Sequence, residues 1–316
     1  MNETAYNSKK QLRPSELILP GNWRKVQKHF KGGNDAQRES FINFKRKLTA
    51  RALKPRLDIV AQSKKDEDWE IPRDMGFKIL PPGTFPETDG LMQKARNRVE
   101  NATPDEAETS KSQLMQHLLD KNSLSLESDH IQFGLREDIL RAVTEYLGIA
   151  PVIEHIDIWH SFFHGKDEWD NSQLWHCDSI DTAQIKIFLY SNDVDEDSGP
   201  LTVLSAEASK RVRDAIDYQY VGESRVPDEV INKLVKPEEI HPIVGPAGTC
   251  VFVDTSRCFH YGSRVRASAS SRIITLYQYL SPSAFIWPLN FRRKAPFKHL
   301  ATKELSTLQR MALGAE

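Results

Sequence analysis

His176 and Asp178 stand two residues apart, just ahead of a strand-like run from Gln184 to Tyr190. Side chains at i and i+2 of an extended segment point to the same side. An imidazole and a carboxylate can therefore grip one metal ion there while Cys177 faces away. A His-x-Asp triplet alone is a weak sign in a chain with 10 histidines, and its weight comes from residues further along the chain. Gly248 to Asp254 reads as a buried strand, and a short turn then leads to Cys258, Phe259 and His260, 84 residues after His176. Arg272 next opens the apolar run Ile273 to Leu280. Two histidines and one carboxylate are the facial set that holds non-haem Fe(II) and leaves positions open for a bidentate cosubstrate and dioxygen. A structural zinc would instead be closed by four ligands, usually thiolates.

Such ligands need strands to carry them, and the chain supplies strands after about residue 150. Val152 begins an alternating stretch with Ile153, Ile156 and Ile158, followed by Phe162 and Phe163. Within 184–190, Ile185, Ile187 and Leu189 point one way, while Gln184, Lys186, Phe188 and Tyr190 point the other, toward the metal side. Asp195 to Pro200 is a turn and Leu201 to Leu204 a short strand. Helices are expected over Ala206 to about Tyr218 and Asp228 to about Val235, which makes 205–240 an insertion between strands.

Upstream the periodicity is helical. Asn34 and Asp35 can cap a helix through Phe41, Phe44 and Leu48 that ends before Pro55. Residues 61–88 read as irregular surface. A helix is expected from about Gly90 to Asn101, another from Thr103 to about Asp120, and a third from about Arg136 to Leu147, stopped at Gly148. Residues 1–15 read as a flexible leader, 16–150 as a mainly helical region packing on the core, 151–281 as the catalytic core, and 282–316 as a C-terminal extension. The pattern argues for a mainly β fold with flanking helices (α+β), a jelly-roll sandwich backed by helices.

Composition bounds the class. A chain of 316 residues, 39% hydrophobic and 28% charged, has core enough for an enzyme. Cys177, Cys250 and Cys258 are odd in number and sit in strand-like or site-like runs, which fits a reducing compartment and a cytoplasmic protein. No apolar run is long enough to span a membrane. Residues 1–60 carry 14 Lys/Arg against 5 Asp/Glu, and residues 61–130 carry 9 against 14. The basic arm is either a solvated face or a guide for an anionic small-molecule substrate; no nucleic acid is expected.

The ordered set of His176 to Asp178, the strand ending in Tyr190, Ser198 to Ser205, Phe259 to Ser263 and Arg272 to Tyr279 resembles the phytanoyl-CoA dioxygenase-like family of Fe(II)/2-oxoglutarate oxygenases. The resemblance covers roughly residues 150–281. It implies a double-stranded β-helix core of the jelly-roll or cupin kind, with His176, Asp178 and His260 as the catalytic iron ligands. It further implies 2-oxoglutarate as cosubstrate, O2 as oxidant, release of succinate and CO2, and hydroxylation of an aliphatic C–H bond in a small metabolite or biosynthetic intermediate. Arg272, 12 residues after His260, matches the arginine that pairs the far carboxylate of the cosubstrate. Ser263 departs from the pattern, since relatives often place a hydroxyl two residues after the distal histidine. Related halogenases put a small residue where Asp178 stands, so hydroxylation is expected here and halogenation is not.

Lys186 and Tyr190 face the interior, where each either touches 2-oxoglutarate or substrate or serves the core. Gln173, His155, Trp159 and His164 either line the pocket or pack in the core. Arg264 and Arg266 could compete with Arg272, but the polar turn from Ser263 to Ser271 points them to solvent. Two other readings stand beside the oxygenase: a metal cupin enzyme independent of 2-oxoglutarate, and a non-catalytic jelly-roll binding module.

Overall fold

The computed structural model describes residues 23–62, 69–102, 115–165, 168–220, 224–267 and 270–316. The expected leader at 1–15 and the start of the helix expected from Thr103 lie outside them. In chain order the elements are α1 (Trp23–Lys31), α2 (Asp35–Leu48), α3 (Ala50–Gln62), β1 (Phe77–Leu80), α4 (Thr88–Glu100), β2 (Met115–His117), α5 (Asp129–Gly134) and α6 (Glu137–Leu147). There follow β3 (Val152–Phe162), β4 (Gln184–Tyr190), β5 (Leu201–Leu204), α7 (Ala206–Ala215), α8 (Asp228–Ile231), β6 (Ile240–Ile243), β7 (Cys250–Val253), β8 (His260–Tyr261), β9 (Ser271–Leu280) and α9 (Thr307–Ala312).

The strands form two sheets with antiparallel pairing. The larger runs β1-β7-β4-β9-β3-β2 and the smaller β6-β5-β8. Period-two alternation gives the larger sheet two apolar faces. Ile185, Ile187 and Leu189 join Leu91, Phe133, Ile139, Leu140, Val143 and Met311 on the helical side. Phe188, Tyr190, Val251, Val253, Ile274 and Leu276 meet Leu201, Val203 and Ile243 of the smaller sheet on the other. The architecture is mixed α and β, with helices on one face and the small sheet on the other.

Several boundaries match the sequence reading. Asn34 caps α2 with its side chain accepting from Gln37 N, in a full capping box. Gly148 closes α6 in the left-handed region at φ 66°. Other expectations need correction. Residues 61–88 are not irregular throughout, because Phe77–Leu80 pairs residue by residue with Val253–Cys250. Four residues between Gly76 and Pro81 are too few to show a period. The helix expected to reach Asp120 is not present over 115–117, where β2 pairs with the end of β3, Met115 opposite Ser161 and His117 opposite Trp159. Both edges of the larger sheet thus come from upstream of residue 150, and edge pairing overrides local helical preference there. Helix α7 stops at Ala215 and α8 at Ile231, short of Tyr218 and Val235.

The helix through Phe41, Phe44 and Leu48 ends before Pro55 as expected, but Pro55 is not what ends it, since it lies inside the next helix, α3. The break falls earlier, at Thr49, whose hydroxyl donates to Lys45 O at 2.8 Å. Arg56 directly follows the proline, is fully buried, and donates to four carbonyls: Ala150 at 3.0 Å, Pro151 at 2.9 Å, Met311 at 2.7 Å and Ala315 at 3.0 Å. The anchored guanidinium holds α3 in place across the missing N–H. Lys45 is also buried, donating to Ala284 O and Trp287 O at 2.7 Å each, and Arg38 donates to Ser179 O and Asp181 O. These three members of the basic arm are therefore neither solvated nor turned to a partner; they fasten the N-terminal helices to the loops and tail around them. Burial pushes Lys45 down to about 8 and Arg56 down to about 9.

Replacing Arg56 by Leu should strip four buried carbonyls of their donor and lower stability by roughly 3–5 kcal/mol. Arg51→Leu, at an exposed position of the same helix, should stay within about 0.5 kcal/mol. Denaturant unfolding of both variants checks the contrast, and equal effects would contradict it.

Candidate functional site

A cleft of about 430 Å³ opens between the sheets, lined by His176, Asp178, Lys186, Phe188, Leu201, His260, Gly262, Ser263 and Arg272, with Met115, His117, Trp159, Asn171, Ser172 and Arg225 completing the wall. It is built on a backbone pairing. His176 N donates to His260 O at 3.1 Å and His260 N to His176 O at 3.0 Å, so the two residues exchange both bonds across an antiparallel bridge. Side chains directly opposite share a face, and the two imidazole rings lie 4.3 Å apart between centroids. Asp178, two residues on, is fixed by its N–H on Thr255 O at 2.7 Å.

One ligand atom from each of His176, Asp178 and His260 lies within 4.8 Å of the others, close enough to share one ion. The protonation states suit a cation. His176 Nδ1 sits 2.8 Å from Leu174 O and His260 Nδ1 3.0 Å from Cys258 O; a carbonyl only accepts, so each Nδ1 carries the proton and Nε2 keeps its lone pair. Burial, then the neighbouring His260 and Arg225, hold His176 well below the usual imidazole range. Burial likewise pushes His260 down to about 4. For Asp178, burial works toward a higher value, but Lys186 first and then the two histidines outweigh it and keep the carboxyl ionised. Lys186 Nζ and Gln184 Nε2 each lie 2.8 Å from Asp178 Oδ2, which leaves Oδ1 facing His176 Nε2 at 4.0 Å. Gln184 is itself braced by Thr255 Oγ1 and Gln278 Nε2. Cys177 points away, into the apolar cluster with Tyr218 and Phe259.

Arg272 is the second feature. It is 2% exposed, and among the described residues no carboxylate meets it. Nη2 donates to Ser263 Oγ at 2.9 Å, while Nε and Nη1 are buried without a partner. Desolvation works against its charge. A buried, half-satisfied guanidinium at a cleft wall fits a carboxylate that would supply the missing acceptors. Gly262 makes room for it: a Cβ there would stand 3.1 Å from both Nη1 and Nη2. Ser263, left-handed at φ 63°, turns its hydroxyl onto Arg272 and Ser161 Oγ, so the hydroxyl that departs from the family spacing touches the arginine.

The remaining expectations divide. Lys186 and Trp159 line the cleft. Tyr190 does not: its hydroxyl donates to Ile243 O at 2.7 Å, because the phenol reaches across to the small sheet. Gln173 stays behind the wall, donating to Ser263 O at 2.8 Å beside His164. Arg264 is not solvated; it is 5% exposed, forms a two-point pair with Asp228 and lies over the Tyr261 ring. Arg266 is exposed.

His117 and Arg225 carry no mark in the sequence. His117 belongs to a segment that reads as helix, and Arg225 is one arginine among many in an insertion, so no local signal distinguishes either. His117, His155 and Asp157 form a second cluster with ligand atoms within 4.8 Å. It reads as a hydrogen-bond network: Asp157 Oδ2 already meets His117 Nδ1 at 2.7 Å, Trp159 Nε1 at 3.0 Å and His155 Nε2 at 3.2 Å, and the Lys121 ammonium at His155 disfavours a cation.

The chain shares the fold of the crystal structure of EctD from S. alaskensis with bound 2-oxoglutarate and 5-hydroxyectoine, at a TM-score of 0.50, 15% identity, and coverage of 83% of this chain and 93% of that one. Against the apo form the values are 0.50, 16%, 80% and 90%. At this identity the likeness is one of fold. No family model matches the sequence, and no curated protein matches it. Among the described residues no helix is long and apolar enough to cross a membrane.

In the metal-free chain, Lys186→Met should let the Asp178 carboxyl titrate at higher pH, because the ammonium is the strongest influence lowering it. Side-chain carboxyl NMR reads this directly; an unchanged titration would transfer the effect to the histidines.

Proposed function

We propose that the protein is an Fe(II)/2-oxoglutarate-dependent oxygenase with a double-stranded β-helix core, acting on an aliphatic C–H bond of a small molecule. The observation that carries this reading is the co-location of the His176, Asp178, His260 set and the half-satisfied Arg272 guanidinium in one cleft. A protein of the same fold, EctD, has been solved with 2-oxoglutarate. The order of motifs around the site further relates the chain to the phytanoyl-CoA dioxygenase-like family.

His176 Nε2, His260 Nε2 and Asp178 Oδ1 would hold the iron, and Arg272 with Ser263 would hold the far carboxylate of 2-oxoglutarate. Bound there, these groups supply oxidation of a C–H bond by O2, coupled to conversion of 2-oxoglutarate to succinate and CO2. The chain's own part is positional. The carbonyls of Leu174 and Cys258 fix the imidazole tautomers, Lys186 and Gln184 aim and ionise Asp178, and Phe188, Leu201 and Trp159 keep the surroundings apolar. Consumption of 2-oxoglutarate with stoichiometric succinate tests the activity; turnover that ignores 2-oxoglutarate would favour a plain metal cupin enzyme.

Iron retention should vanish in His176→Ala while the fold persists. In the wild-type chain it should change little from neutral pH down to about 4, where protonation of His260 begins to compete, and fall below that. The depressed imidazole value sets the sign: the neutral, metal-binding form persists to lower pH than in a free histidine. Metal content after dialysis at each pH checks both statements.

Arg272→Leu should weaken 2-oxoglutarate binding by roughly 30- to 4,000-fold, the cost of removing one partner of a desolvated charge pair. Gly262→Ala should act in the same direction and less strongly, since its Cβ displaces the guanidinium. Calorimetric titration of 2-oxoglutarate into the metal-loaded variants measures both.

A further inference from the structure

Among the described residues, the cleft contains a second cation without an acidic partner. Trp175 and Val226 exchange backbone hydrogen bonds at 3.2 and 2.8 Å across an antiparallel bridge, which places residue 225 opposite residue 176. Because His176 in turn bridges His260, Arg225, His176 and His260 stand in one row on one face of the small sheet. Arg225 lines the cleft, and its charge is felt by both imidazoles. Its Nε is buried without a hydrogen-bond partner, and among the described residues the guanidinium makes no ion pair. Arg264 and Arg213 show the contrast, meeting Asp228 and Asp35 respectively.

The charge balance points the same way. With the histidines neutral, the described residues of the cleft wall carry Lys186, Arg225 and Arg272 against Asp178, an excess of two positive charges. A divalent metal and dianionic 2-oxoglutarate cancel each other and leave that excess in place. Asp157 behind His117 is engaged by two histidines, Trp159 Nε1 and the amides of Leu119 and Ile158. The same cleft is also lined by the apolar surfaces of Met115, Trp159, Phe188 and Leu201.

We propose that Arg225 is the substrate anchor, and that the substrate is a small molecule with an oxyanion, carboxylate or phosphate, joined to an apolar body. The oxyanion sits on the Arg225 fork beside His176, and the apolar body lies against Trp159 and Phe188. This assignment rests on the oxygenase reading insofar as Arg272 is occupied by the cosubstrate.

The test uses the full chain loaded anaerobically with Mn(II), with and without 2-oxoglutarate. Ligand-observed NMR measures a panel of small aromatic and aliphatic carboxylates, each with its neutral amide, and phenyl phosphate beside them. The expected result is a preference for acid over amide of roughly tenfold to a hundredfold, lost in Arg225→Leu while 2-oxoglutarate affinity is kept. Arg225→Gln carries the same readout should the leucine variant fail to fold. The ratio of carboxylate to phosphate binding identifies which oxyanion the site takes. Absence of any acid preference overturns the proposal, as does loss of 2-oxoglutarate affinity in Arg225→Leu equal to that in Arg272→Leu. Unchanged 2-oxoglutarate affinity in both variants would instead remove the cosubstrate reading, while an acid preference abolished at Arg225 would still uphold the anchor.

Discussion

The reciprocal backbone pairing of His176 with His260 is the contact on which the site depends. It brings together residues separated by 84 positions, sets their rings side by side, and leaves both Nδ1 atoms donating to local carbonyls. Everything else around the cleft adjusts to it. The Asp178 amide on Thr255, the Gln184 bridge from Asp178 to Thr255, and the Lys186 ammonium together orient a carboxylate that burial alone would tend to neutralise.

Cations in and near the interior meet different kinds of partner. Arg38, Lys45 and Arg56 are answered by backbone carbonyls, so they act as rivets between the N-terminal helices, the loop after Asp178 and the C-terminal tail. Arg56 too keeps its Nε buried without an acceptor, as do Arg272 and Arg225, but of these three only Arg272 and Arg225 line the cleft. Leaving a buried donor unmade is costly, and a cleft is where an entering acceptor can relieve that cost. The same residue type thus fastens backbone carbonyls in one place and lines the cleft in another, and access to the cleft distinguishes the two.

Edge strands show how the upstream region reaches the site. β2 brings His117 to the cleft wall through pairing with β3, and the Asp157 network of His117, His155 and Trp159 secures that edge. β1 closes the opposite edge on β7, directly ahead of the Asp254 turn. There the Asp254 carboxylate accepts from the Gln184, Ser256 and Arg257 amides and from the Tyr146 hydroxyl, linking α6 to the loop that leads to His260. Burial pushes the Asp254 carboxyl up to about 6.

The sequence by itself determined the parts whose signal is local. The i, i+2 spacing of His176 and Asp178, the alternation along β3 and β4, the apolar run of β9, the Asn34 cap and the Gly148 stop are all short-range consequences of backbone geometry. The order of His260 and Arg272 after them was legible as a pattern, and from it the candidate ligand set. Tertiary structure alone decided the rest, because it turns on partners distant in the chain. Strands of three or four residues such as β1 and β2 have no readable period and exist only through their pairing. Tyr190 has the parity of a cleft residue, yet its hydroxyl is captured by Ile243 O on the other sheet. Arg264 and Arg225 look alike as single arginines near polar turns. One finds Asp228 and the other finds no acid among the described residues, and that difference in acceptors is a property of the folded chain.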